Sequence, residues 1–411
     1  MARRRTLADR AITLGVSGGI AAYKSAEIVR LLKGMGIDVR VIMTRTALEL
    51  MSPHALATLS EHPVASGLFE PSHLGDRPGI GHIDLGRDTD LLVVAPATAN
   101  VIGKAAGGIA DDLLTTTIMA SAVPVLFAPA MNTRMWENPI LQDNIAKLRD
   151  RGYGFIEPTS GSLACGEVGP GRLADPEGIV HEVVLRLLER ESSLRVLVTA
   201  GPTEEAVDPV RVLSNRSSGK MGVAIAEAAR NRGHQVILVA GPLGCPAPLG
   251  VRRIDVRTAL EMEAAVRDQE ASADIVVMAA AVADYRARDI GRSKLPSGRD
   301  GQTIDLIPNP DILKAIAPAR AARGAVTVGF ALEVGAGGEE RARVKLESKG
   351  LDMIALNDAT RPDSAFGSDT TRITLFHRDG RTEALAPCSK AEAGMTIIHR
   401  AEALCGQGEK P

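Results

Sequence analysis

The first half of the chain shows a hydrophobic pattern that changes in regular steps. An apolar run at 12–16 is followed by three small residues, by an apolar i, i+3, i+4 pattern at 28–32, and by a β-branched run at 39–43. Short apolar runs are typical of buried strands, and the i, i+3, i+4 spacing is typical of an amphipathic helix. The order predicts a strand, a tight turn, a helix and a second strand, which is the repeating unit of a parallel sheet.

Two further buried strands are predicted at 91–95 and 123–127, and a proline-containing loop follows each of them, at 96–100 and 129–132. In open α/β sheets, ligands bind at the carboxyl ends of the strands. We therefore expect these loops to line one site together with Thr44 and the three small residues after the first strand.

The same pattern restarts near residue 194. The strand candidates of the second half are 195–201, 235–240, 275–280, 326–330 and 353–357, with a helix at 222–232. The polar segment 189–193 is the best boundary between the halves, so the sequence predicts two α/β domains. In the second half a long segment, 202–218, separates the first strand from its helix, and a loop of that length is usually functional because ordering it costs conformational entropy.

Composition narrows the class of protein. The chain has 411 residues, of which 45% are hydrophobic and 24% charged, so it has enough apolar material for a folded core. The net charge of −2 gives no basis for polyanion binding, and an aromatic content of 2% argues against a stacking surface for single-stranded nucleic acid. We expect no nucleic-acid partner.

The cysteines and the N-terminus bear on the compartment. Cys165, Cys245, Cys388 and Cys405 lie far apart with no C-x-x-C pair, which disfavours a zinc site or a disulfide scaffold. No apolar stretch is long enough to cross a bilayer, and no signal-peptide pattern follows the N-terminal arginines. We expect a soluble protein of a reducing, intracellular compartment, without a membrane partner.

Small residues at the first strand-to-helix turn are the first candidate for chemistry. In Gly15-x-Ser17-Gly18-Gly19, backbone N–H groups can point at a phosphate, aided by the helix dipole. The dinucleotide pattern G-x-G-x-x-G is absent, so a phosphate-bearing mononucleotide is favoured over a dinucleotide. A tight turn without a ligand is the alternative.

Three polar residues of the first half could act on a substrate. Asn132, close to the only Trp, could orient a carboxylate or could simply form a turn. His82 is a potential acid/base group, although a lone histidine is more often structural. Cys165 lies in the glycine-rich segment 160–172, which predicts a mobile flap rather than a packed element, with a thiol that is either reactive or a bystander.

The second half carries its own candidates. The segment 215–222 opens a helix but lacks the upstream glycine of a P-loop, although Ser217 and Ser218 suit an anion. Asp284 follows a predicted strand and could contact Mg²⁺ or a nucleotide. Three lysines, Lys294, Lys345 and Lys349, would by themselves be read as solvated surface residues.

Taken together, the motifs resemble those of the bifunctional phosphopantothenoylcysteine decarboxylase/phosphopantothenate–cysteine ligase family of coenzyme A biosynthesis. In the first half the resemblance rests on 15–24, 81–86, 95–100, 129–136 and 164–172, and in the second on 199–204, 208–211, 215–222, 279–286, 309–312 and 329–331. It implies an α/β fold with two three-layer Rossmann-like or flavodoxin-like domains and mainly parallel sheets. The domains would be a decarboxylase at 1–190 and a ligase at 191–411.

For the decarboxylase the resemblance implies FMN as cofactor. Cys165 matches the family's proton donor, His82 an active-site histidine, and Asn132 and Met135 residues that hold the substrate. The implied contacts of FMN are Ser17, Gly18, Gly19, Thr44, Ala95, Pro96, Thr98 and Asn100.

For the ligase the resemblance implies that CTP activates 4'-phosphopantothenate as an acyl-cytidylate, which cysteine then attacks, with Mg²⁺ and lysines stabilising charge. Asn215 and Lys294 match catalytic residues, Arg211 matches a substrate-binding arginine, and Asp284 matches a residue that meets the metal either directly or through the nucleotide. The implied contacts of CTP are Met278, Ala279, Ala280, Asp284, Lys294, Pro310, Asp311, Ile312, Leu313, Phe330, Lys345 and Lys349.

The resemblance also implies a cytoplasmic homo-oligomer with trimeric decarboxylase units and dimeric ligase units, up to a dodecamer. The chain departs from many family members in keeping one lysine, Lys294, where they carry a cluster, and in having Pro308 before Asn-Pro-Asp. Two alternatives stand beside this interpretation: a nicotinamide-dependent oxidoreductase, which the missing glycine pattern disfavours, and a non-catalytic flavin-binding protein.

Overall fold

The computed structural model describes residues 5–68, 85–162, 166–189, 193–294, 303–333, 337–358 and 368–407. The chain divides into two compact units, Met1–Glu191 and Ser192–Pro411. Each unit has its own principal sheet and its own hydrophobic core residues. Within the described ranges, we find no helix that is both long enough and apolar enough to traverse a bilayer.

The first unit is built on a five-stranded sheet in which all pairings are parallel. The strand order is β2-β1-β3-β4-β5, the order of a flavodoxin-like sheet, which reverses direction between β1 and β3. A crevice for a ligand forms at that reversal, at the carboxyl ends of the strands. The strands are β1 Ala11–Val16, β2 Asp38–Met43, β3 Leu91–Ala97, β4 Val125–Pro129 and β5 Gly154–Phe155.

Helices cover this sheet through the apolar stripes that their sequences predict. Ile28 and Leu32 are fully buried, as is Phe127 at the centre of β4. The helices are α1 Ser25–Gly34, α2 Arg45–Leu50, α3 Pro53–Ser60, α4 Ala99–Gly107, α5 Leu113–Ala120, α6 Thr133–Trp136, α7 Pro139–Asp150 and α8 Pro176–Glu189. Strand β3 contributes Leu92 and Val94 to a core that it shares with α4, α5 and α7.

The structure corrects two local expectations in this unit. The chain does not pass straight from the three small residues into an α-helix, because a 3₁₀-helix, Ile20–Lys24, intervenes before α1. The glycine-rich segment is not an unpacked flap over its described part, since β6, Thr159–Ser162, pairs antiparallel with β7, Val168–Arg172. Strand β7 also packs closely against the chain at Met131. Only glycine allows this contact at position 171, where φ is +119°, because a Cβ there would lie 2.5 Å from the carbonyl oxygen of Met131.

The second unit has an eight-stranded sheet of order β12-β11-β8-β13-β16-β17-β19-β20. The first six strands are parallel, and the last two extend the sheet as an antiparallel hairpin that the sequence pattern did not predict. The strands are β8 Arg195–Ala200, β11 Gln235–Ala240, β12 Arg252–Asp255, β13 Ile275–Met278, β16 Val326–Glu333, β17 Met353–Asp358, β19 Ile373–His377 and β20 Thr382–Ala384. The predicted α/β class with mainly parallel sheets is confirmed.

Alternate residues of the central strands enter two separate cores. Val196 and Val198 pack with α9 and α13 on one face, whereas Leu197 packs with α10 and α11 on the other. The unit therefore has three layers, as expected for a parallel sheet buried on both faces. The helices are α9 Lys220–Asn231, α10 Ala259–Glu270, α11 Ile312–Arg323, α12 Gly338–Ser348 and α13 Lys390–Gln407.

The helices α9 and α13 are in close contact, because a Cβ at Gly394 would lie 2.9 Å from the carbonyl oxygen of Ala224. At the carboxyl end of the pair, Arg232 donates a hydrogen bond of 2.7 Å to Glu402. The ring of the fully buried His234 is hydrogen-bonded to the same carboxylate. These contacts attach α13 to the segment that connects α9 with β11.

The long segment 202–218 contains secondary structure that the sequence did not reveal. Two short antiparallel strands, β9 Glu204–Ala206 and β10 Val212–Ser214, form a hairpin beside the main sheet. A second small antiparallel sheet joins β14, Tyr285–Ala287, to β15, Leu306–Pro308. The short strands β18, Thr370–Thr371, and β21, Cys388–Ser389, also pair antiparallel.

Candidate functional site

Ser17, directly after β1, ties the two strands at the reversal of the first sheet. Its hydroxyl donates to the carbonyl oxygen of Pro96 at 2.7 Å and accepts the backbone N–H of Thr98 at 3.0 Å. The residue is 1% exposed. The Ser17 side chain is therefore engaged inside the protein, and it fixes the spacing of the walls of the crevice.

Gly18 and Gly19 form the surface of the crevice beside Ser17. A Cβ at Gly18 would lie 2.2 Å from Thr46 Oγ1 and 2.4 Å from Thr46 Cβ, so only glycine fits there. At Gly19 the nearest atom to a Cβ would be Thr98 Cγ2, at 3.5 Å. Where glycines at the end of a parallel strand leave the backbone N–H groups uncovered, a phosphate can bind to them.

Two helices begin at this crevice, and a threonine caps each of them. The Thr44 hydroxyl accepts the N–H of Ala47 at the start of α2, and the Thr98 hydroxyl accepts the N–H of Val101 at the start of α4. Asn100 is exposed in the first turn of α4. Helix N-termini favour negative charge, so the arrangement fits a mononucleotide phosphate.

Pro96 follows Ala95 through a cis peptide bond inside β3. Ala95 is fully buried, and its carbonyl oxygen accepts a hydrogen bond of 3.0 Å from the hydroxyl of Ser25. Ala95 and Pro96 lie at the carboxyl end of β3, inside the protein. The predicted flavin contacts of the first unit therefore gather at the end of β3 and the turn after β1, with Thr44 entering from the end of β2.

Asn132 lies in the loop after β4, where its side-chain oxygen accepts the N–H of Met135 at 2.9 Å and caps the short helix α6. The turn-forming role that we gave as an alternative is therefore present. The same loop is fastened to β7, because Met131 donates its N–H to the carbonyl oxygen of Gly171 at 2.9 Å and Thr133 donates to that of Pro170. Met135 is 48% exposed beside it.

Two of the predicted catalytic residues of this unit, His82 and Cys165, lie outside the described residues. The described strands β6 and β7 flank positions 163–165, and β7 carries the contacts to the Asn132 loop. In sequence, β7 begins three residues after Cys165.

In the second unit, the carboxyl ends of the parallel strands open into a cavity of about 690 Å³. Its walls come from the start of α9, the chain after β13, the start of α11, and the ends of β16 and α12. The predicted nucleotide contacts that line it are Met278, Ala279, Ala280, Asp284, Pro310, Asp311, Ile312, Leu313, Phe330, Lys345 and Lys349.

Two of the predicted lysines are held in place at this cavity. Lys345 donates to the carbonyl oxygen of Phe330 at 2.8 Å, and Lys349 pairs with Asp311, which also caps α11 by accepting the N–H of Lys314. Burial lowers the pKa of the Lys349 ammonium. Side chains that are fixed and partly desolvated in a cavity wall are not solvated surface lysines, so the structure removes that interpretation for both.

Asn215 braces the chain that follows β13. Its side-chain amide donates to the carbonyl oxygens of Ala281 and Val282, at 3.3 and 3.0 Å. Asn309 makes the equivalent contact from the other side, donating to the carbonyl oxygen of Ala283 at 2.8 Å. Both amides line the cavity, so the loop that would face a nucleotide is held from two directions.

Asp284 lines the cavity with an exposed side chain. Across the described ranges, no three His, Cys, Asp or Glu side chains come together as metal ligands would. A cation at Asp284 would therefore take its remaining ligands from substrate phosphates and water, which is the usual arrangement for Mg²⁺.

The structure does not bring Lys294 and Arg211 into the cavity wall formed by the described residues. Lys294 is exposed, next to a range that is not described. Arg211 lies at the turn of the β9–β10 hairpin, where its guanidinium is 3.8 Å from the buried carboxylate of Asp208. Two other lysines that we had not predicted, Lys220 and Lys390, line the cavity.

A signal for Lys220 was present in the segment 215–222, whose serines we expected to suit an anion. Lys390 carried no such signal, because it is distant in sequence and reaches the cavity only through the packing of α13 against α9.

Comparison with known proteins finds a matching family model for each half of the chain. A family model described as Flavoprotein matches residues 1–188, and one described as DNA/pantothenate metabolism flavoprotein C-terminal domain matches residues 192–404. The solved C-terminal domain of a coenzyme A biosynthesis bifunctional protein CoaBC is 35% identical and covers 53% of this chain and 98% of its own, with a TM-score of 0.45.

Full-length relatives match as well. The coenzyme A biosynthesis bifunctional protein CoaBC of Vibrio cholerae is 44% identical over 401 residues, which cover 96% of this chain and 99% of the relative. Its namesake from Bacillus subtilis is 42% identical over 410 residues, which cover 98% and 100%. Since both relatives align over nearly their whole length, the chain belongs to the family of coenzyme A biosynthesis bifunctional proteins.

Proposed function

We propose that this chain is a bifunctional enzyme that joins 4'-phosphopantothenate to cysteine with CTP and then decarboxylates the product to 4'-phosphopantetheine with FMN. We assign decarboxylation to residues 1–190 and ligation to residues 191–411. The observation that carries the proposal is the combination, in one chain, of a flavodoxin-ordered sheet with a second sheet whose strand ends open into a lysine-lined cavity of about 690 Å³. The order of the two family models supports it.

In the first unit, the glycine cradle at Gly18 and Gly19 and the capped helix starts at Thr44 and Thr98 would hold the phosphate of FMN, with Asn100 at its edge. Ser17 would not contact FMN through its hydroxyl, because that hydroxyl is already hydrogen-bonded to Pro96 and Thr98. Its role is to hold the two strands at the crevice at a fixed distance. When bound, FMN supplies a reversible two-electron oxidation beside the substrate thiol, which makes the adjacent carboxylate a leaving group.

The chain's own residues then orient the substrate and move a proton. Asn132 caps α6 with its oxygen, which leaves its NH₂ group to donate to the substrate carboxylate. Met135 provides apolar contact beside it. We assign proton donation to the thiol of Cys165 and an acid/base role to His82. Both lie outside the described residues.

In the second unit, the cytidine would lie against Phe330, Lys345, Lys349 and the start of α11, at 310–313. Two cations at this wall offset the negative charge of the nucleotide and of the phosphoryl transition state. Asn215 braces the loop after β13 and would contact the acyl-cytidylate. Met278, Ala279 and Ala280 complete the wall with backbone groups.

We assign a Mg²⁺ ion to Asp284, with the phosphates of CTP as its other ligands. Lys294 and Arg211 would act from outside the described cavity wall, Lys294 on the triphosphate and Arg211 on phosphopantothenate. The assignment of these two residues rests on the resemblance of their motifs alone.

Exposed apolar side chains support assembly of copies of this chain. In and beside the small β9–β10 and β14–β15 sheets of the second unit, Val210, Tyr285 and Ile290 are 65%, 55% and 61% exposed, which fits a dimer contact. In the first unit, Ile20, directly after the glycines of the crevice, and Val168, at the start of β7, are 69% and 80% exposed, which fits a trimer contact. Two-fold and three-fold contacts on one chain are compatible with a closed, symmetric assembly such as a dodecamer. We place the enzyme in the cytoplasm, where CTP is available.

The test is mass spectrometry of the purified chain incubated with FMN, Mg²⁺, CTP, 4'-phosphopantothenate and cysteine. We expect the ligated conjugate first and then a species lighter by CO₂. Omitting CTP should abolish both products, and removing FMN should stop the reaction at the conjugate. The proposal fails if no conjugate forms with CTP, or if authentic conjugate is not decarboxylated by the FMN-loaded protein.

A further inference from the structure

Two lysines from distant parts of the chain meet at one corner of the ligase cavity. Lys220 is the first residue of α9, and Lys390 is the first residue of α13. Both line the cavity, together with Ser217 and Ser218 just before α9. The opposite wall carries the other two lysines, Lys345 and Lys349, so the cavity has a pair of cations on each side.

The two ammonium groups of this corner interact with each other. Burial lowers the pKa of Lys390, and the charge of Lys220 lowers that pKa further. Lys390 donates to the carbonyl oxygen of Ser368, and Lys220 is 2.6 Å from a carboxylate oxygen of Asp369. Two cations that repel each other in a partly desolvated corner are stabilised by an anion placed between them.

The carboxylate now beside Lys220 is a weak competitor for such an anion. The side chain of Asp369 is 88% exposed, and exposed ion pairs contribute little because water and salt screen them. A phosphate group carries more charge and more acceptor oxygens, so it can bridge both lysines and displace Asp369.

We propose that Lys220 and Lys390 together bind a phosphate group of a ligase substrate, at the side of the cavity opposite Lys345 and Lys349. This inference rests on the ligase function proposed above and adds a substrate-binding role for two further residues. The reaction brings two phosphorylated molecules into one cavity, the nucleoside triphosphate and the phosphorylated acyl substrate. The two lysine pairs provide two separate anion-binding walls, and α9 adds the positive end of its dipole to this one.

The experiment uses the full-length chain and the variants Lys390→Gln and Lys220→Gln. Initial rates of pyrophosphate release are measured while CTP, 4'-phosphopantothenate and cysteine are varied in turn. We expect KM to rise about tenfold or more for one of the two phosphorylated substrates, because a charge-assisted hydrogen bond is lost. The KM for cysteine and the rate of decarboxylation of added conjugate should stay unchanged.

Two arms identify the source of the phosphate. If the corner holds the 4'-phosphate, the variants lose the preference of the wild-type chain for 4'-phosphopantothenate over pantothenate. If it holds the triphosphate, the variants lose inhibition by added pyrophosphate and keep that preference. Asp369→Asn should act in the opposite direction and lower the same KM, since it removes the competing carboxylate.

Two controls separate binding from folding. Lys390→Arg keeps the charge and should restore most of the affinity that Lys390→Gln loses. Arg253→Gln removes a cation paired with Asp255 on the edge strand β12, outside the cavity wall, and should leave every KM unchanged. Unchanged KM values for both phosphorylated substrates in folded Lys390→Gln and Lys220→Gln would overturn the inference. A wild-type chain that releases no pyrophosphate would overturn the ligase proposal instead.

Discussion

The hydrogen-bonded group around Glu402 makes a prediction about stability. Burial raises the pKa of Glu402, but hydrogen bonds from His234 and Arg232 outweigh it and hold the pKa at about 2, below the ordinary value of 4.5. The carboxylate is 15% exposed and His234 is fully buried. Glu402→Gln keeps the shape of the side chain and removes the charge that both partners need.

The magnitude follows from that displacement of the pKa. The difference between 4.5 and about 2 corresponds to about 3 kcal/mol, at about 1.4 kcal/mol per pH unit. Because the pKa is lower in the folded state, this contribution is fully present above pH 4.5 and disappears as the pH falls toward 2. The stability gap between wild type and Glu402→Gln should therefore be largest at neutral pH and should close in acid.

The assay is urea unfolding of the full chain followed by far-UV circular dichroism, with Trp136 fluorescence as an internal reference. Trp136 is the only tryptophan and lies in the first unit, so its transition should not move. Glu383→Gln is the matched control, because it breaks the pair between Glu383 of β20 and Arg400 of the same helix α13, and both of these side chains are about one-third exposed. It should cost less than about 1 kcal/mol. Equal losses in the two variants, or a gap that does not depend on pH, would refute the reasoning.

Three further predictions concern the proposed activities. Cys165→Ser should leave ligation intact and stop decarboxylation after CO₂ loss, with an unsaturated product accumulating in the mass spectrum; normal turnover would remove Cys165 from the mechanism. Lys294→Gln should spare decarboxylation and lower the rate of ligation at least tenfold, and unchanged ligation kinetics would return Lys294 to the solvated surface. Gly18→Ala should lose FMN, measured as visible absorbance of the purified protein, because its Cβ would lie 2.2 Å from Thr46 Oγ1; a fully loaded variant would show that the turn tolerates a side chain.

Much of the fold could be predicted because it depends on local hydrophobic patterns. The runs at 12–16 and 235–240 are buried strands, and the parallel order follows from helices placed between them. What the patterns missed is short or polar. The hairpin of β9 and β10 has three residues per strand, which is too few for a two-residue period to stand out.

The sites were predicted unevenly for a similar reason. Residues that follow parallel strands, such as Thr98 and Asp284, could be predicted because parallel strands bring their carboxyl ends to one edge of the sheet, whereas Asp311 was indicated only by the family resemblance. The role of Ser17 as an internal clamp could not be read from its position, because it depends on the distance between β1 and β3. Lys390 was missed because only the packing of α13 on α9 brings it to the cavity.

The position of α13 in the chain has a consequence for synthesis on the ribosome. This helix follows every other element of the second unit in sequence, yet it supplies Ile397 and Ile398 to the core and Lys390 to the cavity wall. The flavodoxin-ordered unit can fold as soon as its last helix emerges, whereas the ligase cavity stays open on one side until translation reaches the end of α13. A nascent chain would therefore complete the crevice of its first unit well before it completes the cavity of its second unit.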